Sequence, residues 1–174
     1  PKPLQYISEA YKELGDEDKA LEYNQQYMDK NPNAAPTDFM KLAEIYVNKA
    51  KKDPAKKIEN IDKAISVYAK LAEKYPTLKP FAKLQEGNTA FQNELDDKAI
   101  AAYTEVINEL EAKQCDEDEL SYLKTSYQYM GFIYTYDKQD FDTAKPYWDK
   151  LLKLDPQNKL ANDAYQKAGL KPGE

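Results

Sequence analysis

The chain has 174 residues, 41% of them hydrophobic, with a mean hydropathy of −0.89, a net charge of −6 and a pI near 4.9. All 25 cationic residues are lysine and there is no His, which excludes His-ligated zinc and a Ser-His-Asp relay and removes the guanidinium fork used on phosphate and guanine. The acidic balance opposes nucleic acid as a partner, and no stretch approaches the roughly 18 apolar residues of a membrane span, so no membrane insertion is expected.

In chain order, Leu4, Ile7 and Tyr11 recur at the spacing of a buried helix face. Gly15 then permits a left-handed turn, Ala20 is small enough for two helices to approach closely, Tyr11 is expected to fill the space between neighbouring hairpins, and Pro32 stops the second helix. The same order returns three times. Ala20, Ala64, Ala99 and Ala144 lie in GDEDKALEY, NIDKAISVY, LDDKAIAAY and DFDTAKPYW, and the reversals at Pro32, Pro76 and Pro156 have Glu111 in their place in the third copy.

Phe39, Leu42 and Tyr46 open the second copy, which carries an insertion at 49–60. Asp53 and Pro54 form a cap and first-turn pair there, so one helix is expected to run to about Lys52 and the next to start at Asp53, with five lysines on a protruding tip. In the third copy, gap-free alignment puts Lys83 and Glu86 at core places, whereas a slip of one residue makes Leu84 and Phe91 the buried pair. A second insertion at 114–123 is acidic, and Asp116 to Glu119 favour a helix start. Tyr127, Met130 and Tyr134 open the fourth copy, where Pro146 is tolerable if Asp142 caps the helix. Residues 158–169, with Leu160, Ala164 and Tyr165 on one face, read as a final capping helix, whereas no such cap precedes the first helix.

On these residues the chain resembles the tetratricopeptide repeat family, in which each repeat is a helix A, turn, helix B hairpin. The resemblance implies an all-α fold, a right-handed α-α superhelix of about nine helices, in one domain over 1–174. The repeats are placed at 1–34, 36–78, 80–113 and 118–157, and the start at Pro1 reads as a fragment or mature part of a longer product.

Few residues invite catalysis. The acids at 116–119 lack the spacing of a calcium loop, the glycines form no phosphate-cradling loop, and the acids around Cys115 raise its thiol pKa, so no catalytic residue, cofactor or metal is expected. A carboxylate-dependent enzyme is the third reading. The resemblance implies a scaffold that binds an extended peptide or partner helix in a concave groove. Carried over to this sequence, the groove comprises Glu9, Lys12, Glu44, Val47, Asn48, Asn88, Phe91, Gln128, Phe132 and Tyr136, with Phe132, Tyr136 and Asn48 favouring an apolar or aromatic-bearing peptide.

The partner is therefore expected to be a protein or peptide. The alternative is self-assembly, through the uncapped first helix or by pairing of the basic tip with the acidic turn between molecules. The Lys-, Tyr- and Asn-rich, Arg-free composition points to a bacterial source and the cell envelope (periplasm), with the cytoplasm as the alternative.

Overall fold

Short polar side chains start four of the described helices. Asp16 accepts from the Lys19 N–H at 3.1 Å, Asp116 from Glu119 at 2.8 Å, Asp140 from Thr143 at 3.0 Å and Asn158 from Ala161 at 3.1 Å, each satisfying an amide that has no intrahelical acceptor. Glu119 reciprocates by accepting from the Asp116 N–H at 3.2 Å.

The computed structural model describes residues 2–173, and all the regular structure described is helical. The chain divides into two compact units, Pro1–Glu94 and Leu95–Glu174. In the first, α1 (Lys2–Glu13), α2 (Glu17–Lys30), α3 (Pro36–Lys52), α4 (Lys57–Lys74) and α5 (Lys79–Phe91) each pack on the next. In the second, α6 (Asp96–Leu110) packs on α7 (Glu117–Phe132), α7 on α8 (Phe141–Leu154), and α9 (Lys159–Ala168) on both α7 and α8.

The four recurrent alanines are fully buried, as close helix approach requires. The first unit's core gathers Tyr27, Phe39, Leu42, Tyr46, Val67 and Leu71, and half-buried Val47 packs against it. Phe39, Leu42 and Tyr46 are buried, as their spacing requires, but the first stripe is only half so: Ile7 is 38% exposed. Tyr11, expected between neighbouring hairpins, is half-buried and pairs within its own hairpin. Its ring stacks on Tyr23 of its own hairpin, with centroids 5.5 Å apart and planes 6° from parallel, and Tyr134 stacks on Tyr147 in the same way at 6.1 Å and 2°.

The hairpin turns show how the sequence varies around a fixed backbone. Gly15 has φ 76°, and the residues five before the buried Ala in the third and fourth copies, Glu94 and Gln139, keep the left-handed conformation without being glycine, at φ 63° and 54°. A side chain there carries a steric cost that glycine avoids, partly offset by glycine's greater freedom in the unfolded chain. Gln139→Gly is therefore expected to raise stability by about 0.5–1 kcal/mol, read as a higher denaturant midpoint at unchanged m-value. A lowered midpoint would show that the Gln139 side chain itself holds the turn.

In the second copy α3 ends at Lys52 as expected, but Pro54–Lys56 is a 3-10 turn and α4 begins only at Lys57. The lysine tip is not free. Lys52 donates to the Gly15 carbonyl at 3.0 Å and pairs with Glu17 at 2.5 Å, and Lys49 pairs with Asp18, so two of the five cations are held by the turn and first residues of α2. On α5, Leu84 and Glu86 are both buried; Glu86 is paired with Lys83 at 3.1 Å, and Phe91 is half-buried.

The cap of α8 is Asp140, not Asp142, which leaves Pro146 inside the helix rather than in its first turn. Ile133–Asp137 forms a π-helical turn, a wider coil that takes up an extra residue before α8 starts. Gly169, with φ 71°, ends α9.

Candidate functional site

On the first unit, the faces of α1 and α3 are joined by a ladder of polar pairs. Gln5 Nε2 donates to Asp38 Oδ1 at 3.0 Å, Lys41 pairs with Glu9, and Lys12 pairs with Glu44 at 2.6 Å. The three pairs follow from positions 5, 9 and 12 facing 38, 41 and 44, one helical turn apart on each helix. The Lys41 ammonium is held above the ordinary lysine range by its hydrogen bond to Glu9. The two ion pairs, Lys41–Glu9 and Lys12–Glu44, are partly exposed and contribute little stability, but they fix the direction of long side chains.

Beneath the ladder lies a cavity of about 240 Å³ lined by Ser8, Glu9, Lys12, Asn24, Lys41 and Ile45, with exposed Glu13 at its edge. Ser8 is buried and donates to the Ala20 carbonyl at 2.7 Å. Asn24 is 3% exposed, and its Oδ1 has no hydrogen-bond partner. A larger hollow of about 600 Å³ is bounded by α2, α3 and α4, with Phe39, Tyr46 and Val67 in its wall and Lys63, Lys70 and Lys74 on α4.

The ten residues expected to line a groove are thus distributed as follows. Glu9, Lys12, Glu44, Val47, Asn48, Asn88 and Phe91 belong to the first unit; of these the ladder brings together Glu9, Lys12 and Glu44, while Val47 serves the core. Gln128, Phe132 and Tyr136 belong to the second unit. The rings of Phe132 and Tyr136 lie 4.8 Å apart, Lys167 of α9 sits 4.5 Å over the Tyr136 ring, and Asn158 donates to Gln128 Oε1 at 3.3 Å. The last helix therefore rests on two of those three residues. Sequence reasoning passed over Ser8, Asn24 and Ile45, although a signal was present: the residue four after the buried Ala is Tyr68, Tyr103 and Trp148 in the other copies, and Asn24 in the first.

Chemistry offers little elsewhere. Among the described residues no group of three or more His, Cys, Asp or Glu could hold a metal ion, and no helix is long and apolar enough to cross a membrane. Cys115 donates to the Leu110 carbonyl at 3.3 Å, and burial first, then the charge of Glu119, pushes its thiol above the ordinary range. Glu111, in the place of the missing proline, accepts from the Tyr127 hydroxyl at 2.5 Å and from Lys150 at 2.6 Å. Burial opposes its charge, but these two donors prevail and hold its carboxyl below the usual range.

Antiparallel helical hairpins, repeated with one buried alanine at each crossing, define an all-α helical-repeat protein. The tetratricopeptide repeat model matches residues 4–34 and 39–77, the first two hairpins, and supports assignment to the tetratricopeptide repeat family. No curated protein matches the chain in sequence.

Similar solved structures include the C-terminal part of a TPR repeat-containing protein from Cytophaga hutchinsonii, with TM-score 0.67 and 21% identity over 92% of this chain and 58% of that one. A thermophilic TPR protein from Thermus thermophilus gives 0.51 and 23%, over 95% and 79%. Human IFIT1, solved as a dimer with PPP-AAAA, gives 0.61 and 17%, over 94% of this chain but 36% of its own. The chain thus spans little more than half of the first of these structures and about a third of IFIT1. At these identities the likeness is one of fold. Proteins of this family are generally non-catalytic interaction scaffolds.

Proposed function

We propose that this chain is a non-catalytic scaffold that binds an extended peptide or partner helix of another protein, and that the α1–α3 face is where docking begins. The observation that carries this reading is the ladder of Gln5–Asp38, Glu9–Lys41 and Lys12–Glu44 over an open cavity. Side chains already held in place lose little entropy when a ligand arrives, so a surface of this kind favours binding. On the second unit, Phe132 supplies an aromatic contact beside Tyr136. The ligand of IFIT1 is not carried over: with no Arg and a net charge of −6, this chain repels a polyanion.

The test is selection of peptides from a displayed random library on the immobilised chain, followed by affinities for wild type and Lys12→Glu by fluorescence anisotropy. Enriched peptides that lose affinity in the variant are the expected result. Failure of any peptide to enrich above an empty surface would overturn the reading, and so would binding indifferent to substitutions on α1 and α3.

A specific observation also favours self-association as a second reading. Tyr6 and Leu14, on and just after α1, are 65% and 79% exposed, and Ile7 between them is 38% exposed, so apolar side chains of the first helix are left in water. Solution mass by light scattering across dilution decides it: a dimer that survives dilution and high salt supports this reading, and a monomer throughout sinks it.

A further inference from the structure

Asn24 is the residue the fold least requires. Three of the four copies fill the place four residues after the buried alanine with a large ring, Tyr68, Tyr103 and Trp148, of which the last two are fully buried. In the first copy the ring is replaced by a short amide, and the space left over is the cavity of about 240 Å³ between α1, α2 and α3. An ordinary packing residue there would be apolar. Asn24 instead keeps a buried Oδ1 with no partner, an arrangement that costs free energy unless something arrives to satisfy it.

We propose that this cavity receives the side-chain carboxamide of a Gln or Asn residue from a bound peptide, with the Asn24 amide at its base as the recognising group. The inference rests on the peptide-scaffold reading and names the anchor that such a peptide would carry. The chemistry follows from the walls. Asn24 Oδ1 needs a donor, and the Ser8 Oγ, whose proton is committed to the Ala20 carbonyl, offers a second acceptor. A carboxamide brings two N–H groups and an acceptor together, so it can pair with another amide in both directions.

The charges argue for an uncharged tip. Lys41 is taken by Glu9 and Lys12 by Glu44, so both cations on the wall already have carboxylates. A ligand carboxylate would have to compete for them beside Glu9 and Glu13, and a ligand ammonium would enter beside Lys12 and Lys41. An aliphatic tip would bury Asn24 with its acceptor still unmatched.

The experiment is an NMR titration of the full chain with three probes, acetyl-Ala-Gln-Ala-amide, acetyl-Ala-Glu-Ala-amide and acetyl-Ala-Leu-Ala-amide, on wild type and Asn24→Leu. Leu keeps the branched shape of Asn, is larger, and carries no unsatisfied amide; the adjoining cavity has room for the extra volume, so the variant is expected to fold at least as well. The expected result is a saturable shift of the Asn24 side-chain amide and of the Ser8 and Ile45 backbone signals with the Gln probe. The Glu and Leu probes, and the Gln probe on the variant, should bind weaker by about tenfold, the cost of one unmatched buried hydrogen bond. Equal shifts with all three probes, shifts that persist in Asn24→Leu, or no shift at all because the cavity holds water only would each overturn the proposal. A library peptide that binds the α1–α3 face equally well in Asn24→Leu would overturn it while leaving the scaffold reading intact.

Discussion

Gly131→Ala should destabilise the second compact unit by about 3 kcal/mol, at the upper end of the cost of overfilling a packed interior. The sign is what makes the test severe, because the same change in an ordinary helix interior is favourable by about 1 kcal/mol. A Cβ built on Gly131 would lie 2.5 Å from Cε2, 2.6 Å from Cδ2 and 2.9 Å from Cε3 of Trp148. Those atoms belong to one rigid ring system, so none can give way alone. Trp148 is also fully buried and donates from Nε1 to Thr135 Oγ1 at 2.9 Å, so a retreat would break that bond as well.

Trp148 is the only tryptophan in the chain, and its emission therefore reports unfolding of this unit directly. The midpoint of the fluorescence transition in urea should fall for Gly131→Ala, and Trp148→Phe, which shortens the ring, should recover part of the loss when combined with it, read by circular dichroism for every variant because the double variant has no tryptophan. A midpoint unchanged or raised in the single variant would mean that the helices do not approach as closely as described.

The same crossing shows what the sequence could disclose. Ala20, Ala64, Ala99 and Ala144 were legible because a repeated small residue at a fixed place has one physical use, to let two helices touch, and each proved fully buried. Pro32, Pro76 and Pro156 were legible because proline acts through its own backbone, whatever surrounds it.

The features that escaped depend on a partner far away in sequence. Lys49 and Lys52 read as part of a solvated tip until Asp18 and Glu17 were found beside them, more than thirty residues back. Asp140 and Asp142 are equivalent as potential caps in the sequence, and only the π-helical turn before them decides which is used. Tyr11 and Tyr23 are both aromatic at helical spacing, yet their stacking depends on the angle at which two helices meet. The cavity at Asn24 lay between these cases: the missing ring is visible by comparing copies, but the empty space and the unmatched amide are properties of three helices together. For the groove residues, the same limit applies to Gln128 and Tyr136, on which α9 comes to rest.

Asp38→Ala should cost the first compact unit about 3–4 kcal/mol, because it leaves more than one donor unsatisfied at once. Asp38 is 3% exposed and accepts from three elements: Gln5 Nε2 of α1 at 3.0 Å, the Tyr27 hydroxyl of α2 at 2.8 Å, and the Ala35 N–H at the start of its own helix at 2.7 Å. Hydrogen bonds to a charged acceptor are about twice as strong as neutral ones, and here they tie the first hairpin to the second. Burial and the bond to Asp38 together hold the Tyr27 phenol above its usual pKa, so it remains a donor throughout the physiological range. Asp38→Asn retains an oxygen for Tyr27 and Ala35 and loses the charge, so it should cost only about 1–2 kcal/mol. Adding Tyr27→Phe to Asp38→Ala should restore part of the loss, since a phenyl ring leaves no hydroxyl to satisfy. Denaturant unfolding followed by circular dichroism, with Tyr27→Phe alone measured as well, gives the four values, and an additive double variant would show that Tyr27 and Asp38 do not act as one unit. If the coupling holds, the affinity of any peptide for the α1–α3 face should fall in Asp38→Ala as well, because Gln5 and the ladder beside it depend on that carboxylate for their position.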